Sequence, residues 1–525
     1  MTEPDPGIDV DVVVVGAGPT GTAAAIELGR RGVTCLVLDR WHDVYDQPRA
    51  VHLDDEVHRL LERLGVAEEF ARVSRPAHGL RLVTRHGRCL GELDRTGRSE
   101  ASGYHRATMF DQPDLEAILR RRLADVPSVT LRGGVEVEDL DVPAVGPVTV
   151  HLRDVAADRA ETVRARYVLG CDGANSTVRD VIGSSMRDLG FEQRWLVVDV
   201  DTDADLRQWE GVHQVCDTRR AATYMRIGER RYRWEFRLLD GESADDHRDV
   251  DSLLPLIARW VRGVDPERLR LVRVAEYTFA ARIADRWRHG PVFLLGDAAH
   301  LTPPFIGQGM GAGLRDAGNL AWKLADVLQG RLDEGVLAGY EQERAPHAEH
   351  MIGLARLVGL LMTGGGRAGD LARHLAVPAL VRAPVANRAA ADSTTPALTA
   401  GPLVVATRED RLAGTLCPNV EVDGRRLDTW AEGRWLFVTT TPPSPRTSRL
   451  LAAREVAVLQ VPADTPLHAW LTGSGARAAV VRPDGTVLSA GPAGEQGRRV
   501  AALLHPRAQR RETTRRPAPA RGGRT

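Results

Sequence analysis

Asp297 stands upstream of four alternating glycines, Gly307, Gly309, Gly311 and Gly313, and that combination can hold a cofactor. Residues without Cβ let backbone N–H groups approach a flat or anionic ligand, and the carboxylate can accept hydrogen bonds from a polyol. A second cluster, Gly16-Ala17-Gly18-Pro19-Thr20-Gly21, is followed by an Ala-rich stretch, an apolar run and then Asp39. In such a cluster Gly16 makes the turn and Gly18 lets the backbone meet a pyrophosphate. Gly21 lets helix and strand pack closely, and Asp39 can hold a ribose diol. Arg49 is of a type that pairs with phosphate bidentately, if it is not simply solvated. His52, just beyond it, can partner an ionising hydroxyl, unless neighbouring carbonyls satisfy its ring.

These residues need elements to place them. The unbroken apolar run 10–15 reads as a strand covered on both faces, leading through the glycines into a helix that ends near Arg31. The run 34–38 is the next strand. Residues 292–295 form a short buried strand before Gly296-Asp297, and a long amphipathic helix follows the later glycines, with apolar spacing at Leu314, Ala317, Leu320, Ala321 and Leu324. Asp111 is placed as the N-cap of another helix, with Pro113 and Gln112 at its start. A further strand runs into Cys171-Asp172-Gly173, and Ser176 and Arg179 begin a helix.

From about Gly190 to Arg282 the pattern turns to antiparallel strands: 195–200, 213–217, 223–228 and 231–239. In the last, Tyr232, Trp234, Phe236 and Leu238 alternate with Arg231, Arg233, Glu235 and Arg237, so one face is aromatic and the other charged. Arg231 and Arg237 are expected in water. His347 and His350 are three apart on a helix but lack a distinctive third ligand, so a solvated helix face is expected and no metal. Residues 384–402 read as a linker, and 412–504 as an α/β unit with strands near 435–440, 456–461 and 478–490. The basic, Pro/Gly-rich tail 506–525 is expected to be disordered.

Composition excludes several classes. The 525-residue chain has a formal net charge of -1, so nothing global favours nucleic acid or an anionic membrane. Basic residues are almost all arginine, Lys323 being the only lysine. Five scattered cysteines without C-x-x-C argue for reduced thiols and against zinc or a dithiol redox site. The N-terminus lacks a signal-peptide layout, and no apolar run approaches the ~18 residues that span a bilayer. A soluble cytoplasmic enzyme is expected.

The motifs GAGPTG (16–21), PRAVHLDDE (48–56), CDGANSTVR (171–179) and GDAAHLTPPFIGQGM (296–310) occur in order. Together they resemble the class A flavin-dependent aromatic monooxygenases, the group of the 3-(3-hydroxyphenyl)propionate hydroxylases and their phenol- and polyketide-acting relatives, over roughly residues 8–350. The resemblance implies an α/β fold. It would have a Rossmann-type FAD-binding domain (8–190 with 283–383), an inserted substrate-binding sheet (191–282) and a thioredoxin-like C-terminal domain (403–505) serving as a structural unit and homodimer contact. It implies non-covalent FAD, with Asp39 and Arg49 at the adenosine and pyrophosphate, and Gln112 and Asp297 at the ribityl chain. Gly307, Gly309 and Met310 would lie at the flavin, and Asp172 where NADH or NADPH docks transiently. Arg220, Arg233 and Glu235 are the candidates for lining the substrate pocket, with Arg233 a potential carboxylate clamp. His52 and Pro304 are the candidates for catalysis. The activity implied is hydroxylation of an electron-rich phenolic ring by C4a-hydroperoxyflavin formed from NAD(P)H and O2. Alternatives are a tailoring hydroxylase or Baeyer–Villiger-type enzyme on an aromatic polyketide, a halogenase, which would need W-x-W and a catalytic lysine, and a non-enzymatic nucleotide-binding scaffold.

Overall fold

The computed structural model describes residues 7–45, 49–366, 395–399, 401–405 and 410–505, with single positions 369, 373, 374 and 377. The tail 506–525, most of the linker and Pro48 of the second motif lie outside the described residues.

Val10–Val15 is the axis of the first sheet. It pairs in parallel with Cys35–Asp39 on one side and Arg159–Gly170 on the other, and the parallel order continues outward to Val129–Gly133 and Val292–Leu294. Val12, Val13 and Val14 are fully buried, as an apolar run covered on both faces must be. Burying each valine contributes roughly 1.5–3 kcal/mol. The helix Pro19–Arg30 packs on this sheet, and Gly309–Leu328 packs on that helix.

Leu314, Ala317, Leu320, Ala321 and Leu324 are all buried, as their spacing required. The helix is not amphipathic in the expected sense, because its polar side is buried too: Arg315, Asp316, Asn319, Lys323 and Asp326 are all enclosed. Neighbouring segments supply their partners. Asp316 accepts from His300 Nε2 (2.7 Å), Arg344 Nε (2.8 Å) and the Gly296 amide (3.0 Å). Lys323 donates to Asn319 and to Glu343, which Arg482 also contacts.

The second sheet runs His300–Leu301, Arg270–Ala284, Met186–Asp201, Arg231–Arg237, Ala222–Arg226, Val212–Cys216, Gly79–Thr84, Cys89–Asp94. It is wider than the segment 191–282: the first motif-bearing segment donates Gly79–Thr84, parallel to Val212–Cys216, together with its hairpin partner. The four expected middle strands are present and antiparallel to one another. Their aromatic face, Tyr232, Trp234 and Phe236, packs with Leu253 and Ile257 of the helix Val250–Ile257.

The C-terminal unit is a four-stranded mixed sheet, ordered Ala457–Gln460, Leu436–Thr439, Ala478–Val481, Val487–Gly491. It shares a core with the long helix: Trp322 meets Trp435 edge-on at 5.4 Å, and each indole N–H donates across the join, to Asp484 and Asp326 respectively. All five cysteines are free. No helix of the described residues is long and apolar enough to cross a membrane.

Candidate active site

A cavity of about 410 Å³ opens between the two large sheets. One wall is the cofactor-type machinery. Gly16 takes a left-handed φ of +99°, and a Cβ there would lie 2.4 Å from the Cys171 carbonyl oxygen; at Gly21 it would lie 2.0 Å from the Gly16 oxygen. Those two glycines serve the chain's own turn. Gly18 and Gly309 differ. A Cβ on Gly18 would meet nothing within 4 Å, and on Gly309 nothing nearer than 3.9 Å, yet both line the cavity. Packing does not require glycine at either place, so the bare backbone there fits a ligand cradle. FAD, with a pyrophosphate and a flat ring, matches it.

Asp297 ends the strand Val292–Leu294 after one intervening turn and opens onto the cavity with Arg49, Gln112, His52, Pro304, Gly307 and Met310. Desolvation by the surrounding walls raises the Asp297 pKa although its side chain stays open to the cavity, and His300 and Arg49 pull the other way. Gln112 Oε1 accepts the amides of Arg49 (3.2 Å) and Ala50 (2.5 Å), and its nitrogen donates to Glu116 (2.6 Å), so it fixes the Arg49 loop. Asp111 holds the N-cap position without a side-chain cap; it pairs instead with Arg231 at 2.6 Å. Arg231 is therefore tied down and not a solvated arginine.

Two acids face the protein's own backbone. Asp39 accepts the Ala17 amide (2.6 Å) and the Trp41 amide (2.8 Å), bracing the glycine turn. Asp172 accepts the Ser176 hydroxyl and the Val178 amide at a helix start, and burial raises its pKa.

The opposite wall is the charged face of the strand Arg231–Arg237, while its aromatic face points away from the cavity. Arg233 and Glu235 line the cavity, and both are buried. Arg233 is no vacant clamp: Asp199, directly across on the next strand, takes it in a bidentate pair. Arg220 is not among the lining residues. It sits in the turn before Ala222–Arg226 and pairs with Glu242.

His52 lies on the short strand His52–Asp54, at the cavity wall beside Gly307. Burial, reinforced by Arg95, pushes its pKa down to about 4, and its buried Nδ1 has no protein partner. It is a neutral imidazole at pH 7. His347 is buried against Arg344 and Arg315, not solvated as its helix position suggested, and its pKa is driven down to about 2 by burial. No metal-type cluster occurs among the described residues. Lys323 is fully buried at the C-terminal join and does not line the cavity, so the halogenase alternative has no lysine there.

Sequence reasoning missed Asp199, Gln308, Arg315, Asp316 and Arg95. Gln308 stands at the N-cap position of the long helix without a side-chain cap bond, and Arg315 donates to it and to Asp54 and Glu56, which tethers the His52 strand to the glycine loop. Arg315, Asn319 and Lys323 repeat every four residues, a polar stripe too regular for an incidental surface; that was the available signal.

A parallel α/β sheet with two glycine turns, set against an antiparallel sheet over a shared cavity, defines a dinucleotide-cofactor protein with an adjoining small-molecule site. The chain belongs to the FAD binding domain family, whose pattern matches residues 9–355. It is 40% identical over 356 residues to a probable NADH-specific resorcinol 4-hydroxylase of Rhodococcus jostii (strain RHA1), covering 67% of this chain and 66% of that protein. A 3-(3-hydroxy-phenyl)propionate/3-hydroxycinnamic acid hydroxylase 2 of Burkholderia vietnamiensis (strain G4 / LMG 22486) is 40% identical over 352 residues, 67% of this chain and 63% of that one. The match thus spans a little under two thirds of these relatives' length. Among solved structures, a ternary complex of aklavinone-11 hydroxylase with FAD and aklavinone has a TM-score of 0.76 at 26% identity, covering 94% of this chain and 99% of that one.

Proposed function

We propose that this protein is an FAD-dependent monooxygenase that hydroxylates an electron-rich phenolic ring with NAD(P)H and O2. The observation that carries the reading is the shared cavity: the ligand-facing glycines, Asp297 and a neutral histidine on one wall, and on the other a sheet face of leucine, valine, methionine and phenylalanine side chains around the Arg233–Asp199 pair. Leu80, Leu82, Leu93, Val212, Met225 and Phe279 make most of it dry. The flavin supplies the redox chemistry and the activated oxygen when bound.

The chain's own residues do the rest. Asp297 and the Arg49 loop orient the cofactor, with Gln112 holding that loop by two amides. The N-terminus of the helix Gly309–Leu328 directs N–H groups and partial positive charge toward the cavity, which favours an anionic ring system. The apolar lining excludes water, which would otherwise divert the reaction to peroxide. His52, neutral, accepts a hydrogen bond from the phenol hydroxyl, which draws electron density toward the ring oxygen and makes the ring a better nucleophile.

A single-ring phenol fits better than a four-ring polyketide, because the flavin ring and the substrate must share about 410 Å³. The tailoring alternative draws support from the likeness to aklavinone-11 hydroxylase along nearly the whole chain. Within this reading the C-terminal unit is a thioredoxin-like structural domain, supported by its mixed four-stranded sheet, and Asp172 marks where the nicotinamide cofactor visits. The test is a panel of phenols, hydroxyphenylpropionates and quinone-type polyketides, with NADH, oxygen, peroxide and product all measured. A hydroxylated product in step with NADH consumption is expected. NADH oxidation indifferent to every aromatic would overturn the assignment.

A further inference from the structure

A second cavity, of about 340 Å³, lies where the C-terminal unit meets the parallel-sheet region, and the reaction above makes no use of it. The helices Asp55–Leu64, Gly309–Leu328 and Gly339–Thr363 supply one side, and residues 414–416 with Asp484 and Thr486 supply the other. Its guanidinium groups are already matched: Arg315 by Asp54 and Glu56, Arg344 by Asp316, Arg59 and Arg63 by Asp428. Asp484 is matched in turn by Arg482. A charged ligand would therefore be buried without a counter-ion, which is costly. Leu60, Pro396, Leu398 and Leu416 add apolar walls that suit a ring.

Two polar atoms break this pattern. His347 and Arg315 line the cavity at 6% and 7% exposure, yet His347 Nδ1 and Arg315 Nε have no hydrogen-bond partner. Buried polar atoms are normally paired, so the two point to a ligand. The guanidinium N–H can only donate. Burial, with Arg344 and Arg315, pushes the His347 pKa down to about 2, so its neutral ring carries one donor and one acceptor nitrogen. A hydroxyl both donates and accepts, so it can serve either nitrogen of His347 as well as the Arg315 N–H.

We propose that this second cavity is an effector site for an uncharged single-ring phenol, and that Arg315 couples its occupancy to the active site. The coupling rests on the reading of the first cavity as the flavin and substrate site; the binding does not. Arg315 reaches toward both cavities. Its Nη2 donates to Asp54 (2.6 Å) and Glu56 (2.9 Å), and its Nη1 donates to Gln308 (3.2 Å). Asp54 ends the strand that carries His52, and Gln308 directly precedes Gly309 of the cofactor cradle. A hydroxyl bonded to Nε fixes the same guanidinium that aligns those two segments. Occupancy of the second cavity therefore favours the geometry that binds a phenol in the first, and by linkage the help is reciprocal.

The experiment uses the oxidised, FAD-loaded full chain without NADH, so nothing turns over. Equilibrium dialysis counts the resorcinol bound per flavin, and the flavin absorption band reports the first cavity alone. Wild type is expected to bind a pair of resorcinol molecules with a sigmoidal band titration, the second site tightening the first by about fivefold. His347→Phe keeps a ring but removes its nitrogens, whereas Leu416→Trp fills the cavity and leaves His347 in place. Each variant should retain FAD, lose one of the pair and give a hyperbolic titration. The anionic 3-(3-hydroxyphenyl)propionate should stay out of the second cavity. Catechol is run beside resorcinol, and the tighter of the two shows whether the occupant is the phenol that enters the reaction or the ortho-diol that leaves it; either supports the site. A wild type that binds no more phenol than both variants, or a propionate displaced from the same site by them, overturns the proposal and leaves a cavity for water only. A pair bound with a hyperbolic titration overturns the coupling. A flavin band indifferent to every phenol counts instead against the reading of the first cavity, while the dialysis difference between wild type and variants still decides the second.

Discussion

Arg233 clasps Asp199 through Nε to Oδ1 at 2.7 Å and Nη2 to Oδ2 at 2.8 Å, while its Nη1 reaches the Arg49 carbonyl at 2.8 Å. The pair therefore ties the substrate sheet to the cofactor loop. With the guanidinium saturated by Asp199, a ligand carboxylate gains little from it.

Arg233→Met leaves Asp199 buried and uncompensated, so it is expected to destabilise the holoprotein by about 3–5 kcal/mol. Carboxylated and uncharged ligands should weaken together, because what is lost is the wall and not a clamp. Urea unfolding of the FAD-loaded variant, followed by titration with a phenylpropionate and a simple phenol, separates the cases. Selective loss of the carboxylated ligand would restore the clamp.

Asp297→Ala should impair FAD retention far more than His350→Ala, because Asp297 faces the cavity and His350 is an exposed helix residue. One lost charge-assisted hydrogen bond costs about 1.5–3 kcal/mol, roughly ten- to a hundredfold in affinity. Flavin content after gel filtration measures it, and equal occupancy in the two variants contradicts the assigned role.

Four of the five parallel strands were legible, because Val10–Val15, Cys35–Asp39, the end of Arg159–Gly170 and Val292–Leu294 each show an apolar run that stops near a glycine or an acid; Val129–Gly133, VTLRG, shows neither and was not expected. Period two correctly separated the faces of the strand Arg231–Arg237, but alternation cannot say which face meets the site. The aromatic residues found a helix to bury them, Val250–Ile257, and that left the charged side facing the cavity. Asp199 was illegible for a related reason. Its partner Arg233 is 34 residues away, and only strand pairing brings the two together. Arg220 failed because a turn, unlike a strand, does not fix where a side chain points.

Asp316 is the buried anion that holds the Gly296 amide, His300 and Arg344. Burial alone would raise its pKa, but His300 and Arg344 hold it below the ordinary range. A carboxylate with a depressed folded pKa gives stability that is complete above its unfolded value of about 3.9 and is lost as pH falls below that. Acid unfolding of the wild type should therefore steepen below about pH 4. Asp316→Asn should lose about 3–5 kcal/mol at pH 7 by stranding Arg344 and should show a shallower acid dependence. Denaturant midpoints at pH 3, 4 and 7 test this; parallel pH curves for the two proteins would mean that Asp316 is not the titrating anion.

His52 offers the most direct test of chemistry in the cavity. Burial holds its pKa at about 4, below the unfolded value of about 6.5. The folded state thus resists protonating it: stability is full above about pH 6.5 and declines as pH falls toward 4. Across pH 6 to 8 the ring stays neutral, so it contributes no inflection to the hydroxylation rate there. Its partnerless Nδ1 is buried, and the ring stands beside Gly307 on the cavity wall, within the site where a phenol would lose its proton. General-base assistance is worth about 10²–10⁴-fold. His52→Asn is accordingly expected to slow hydroxylation by about 10²-fold or more, to raise the share of NADH electrons released as peroxide, and to leave FAD content near that of wild type. Single-turnover mixing of reduced enzyme with oxygen and a phenol, with product and peroxide quantified, measures all of it. A variant that still couples NADH to product as tightly as wild type would remove His52 from the chemistry and leave it as a wall residue of the cavity.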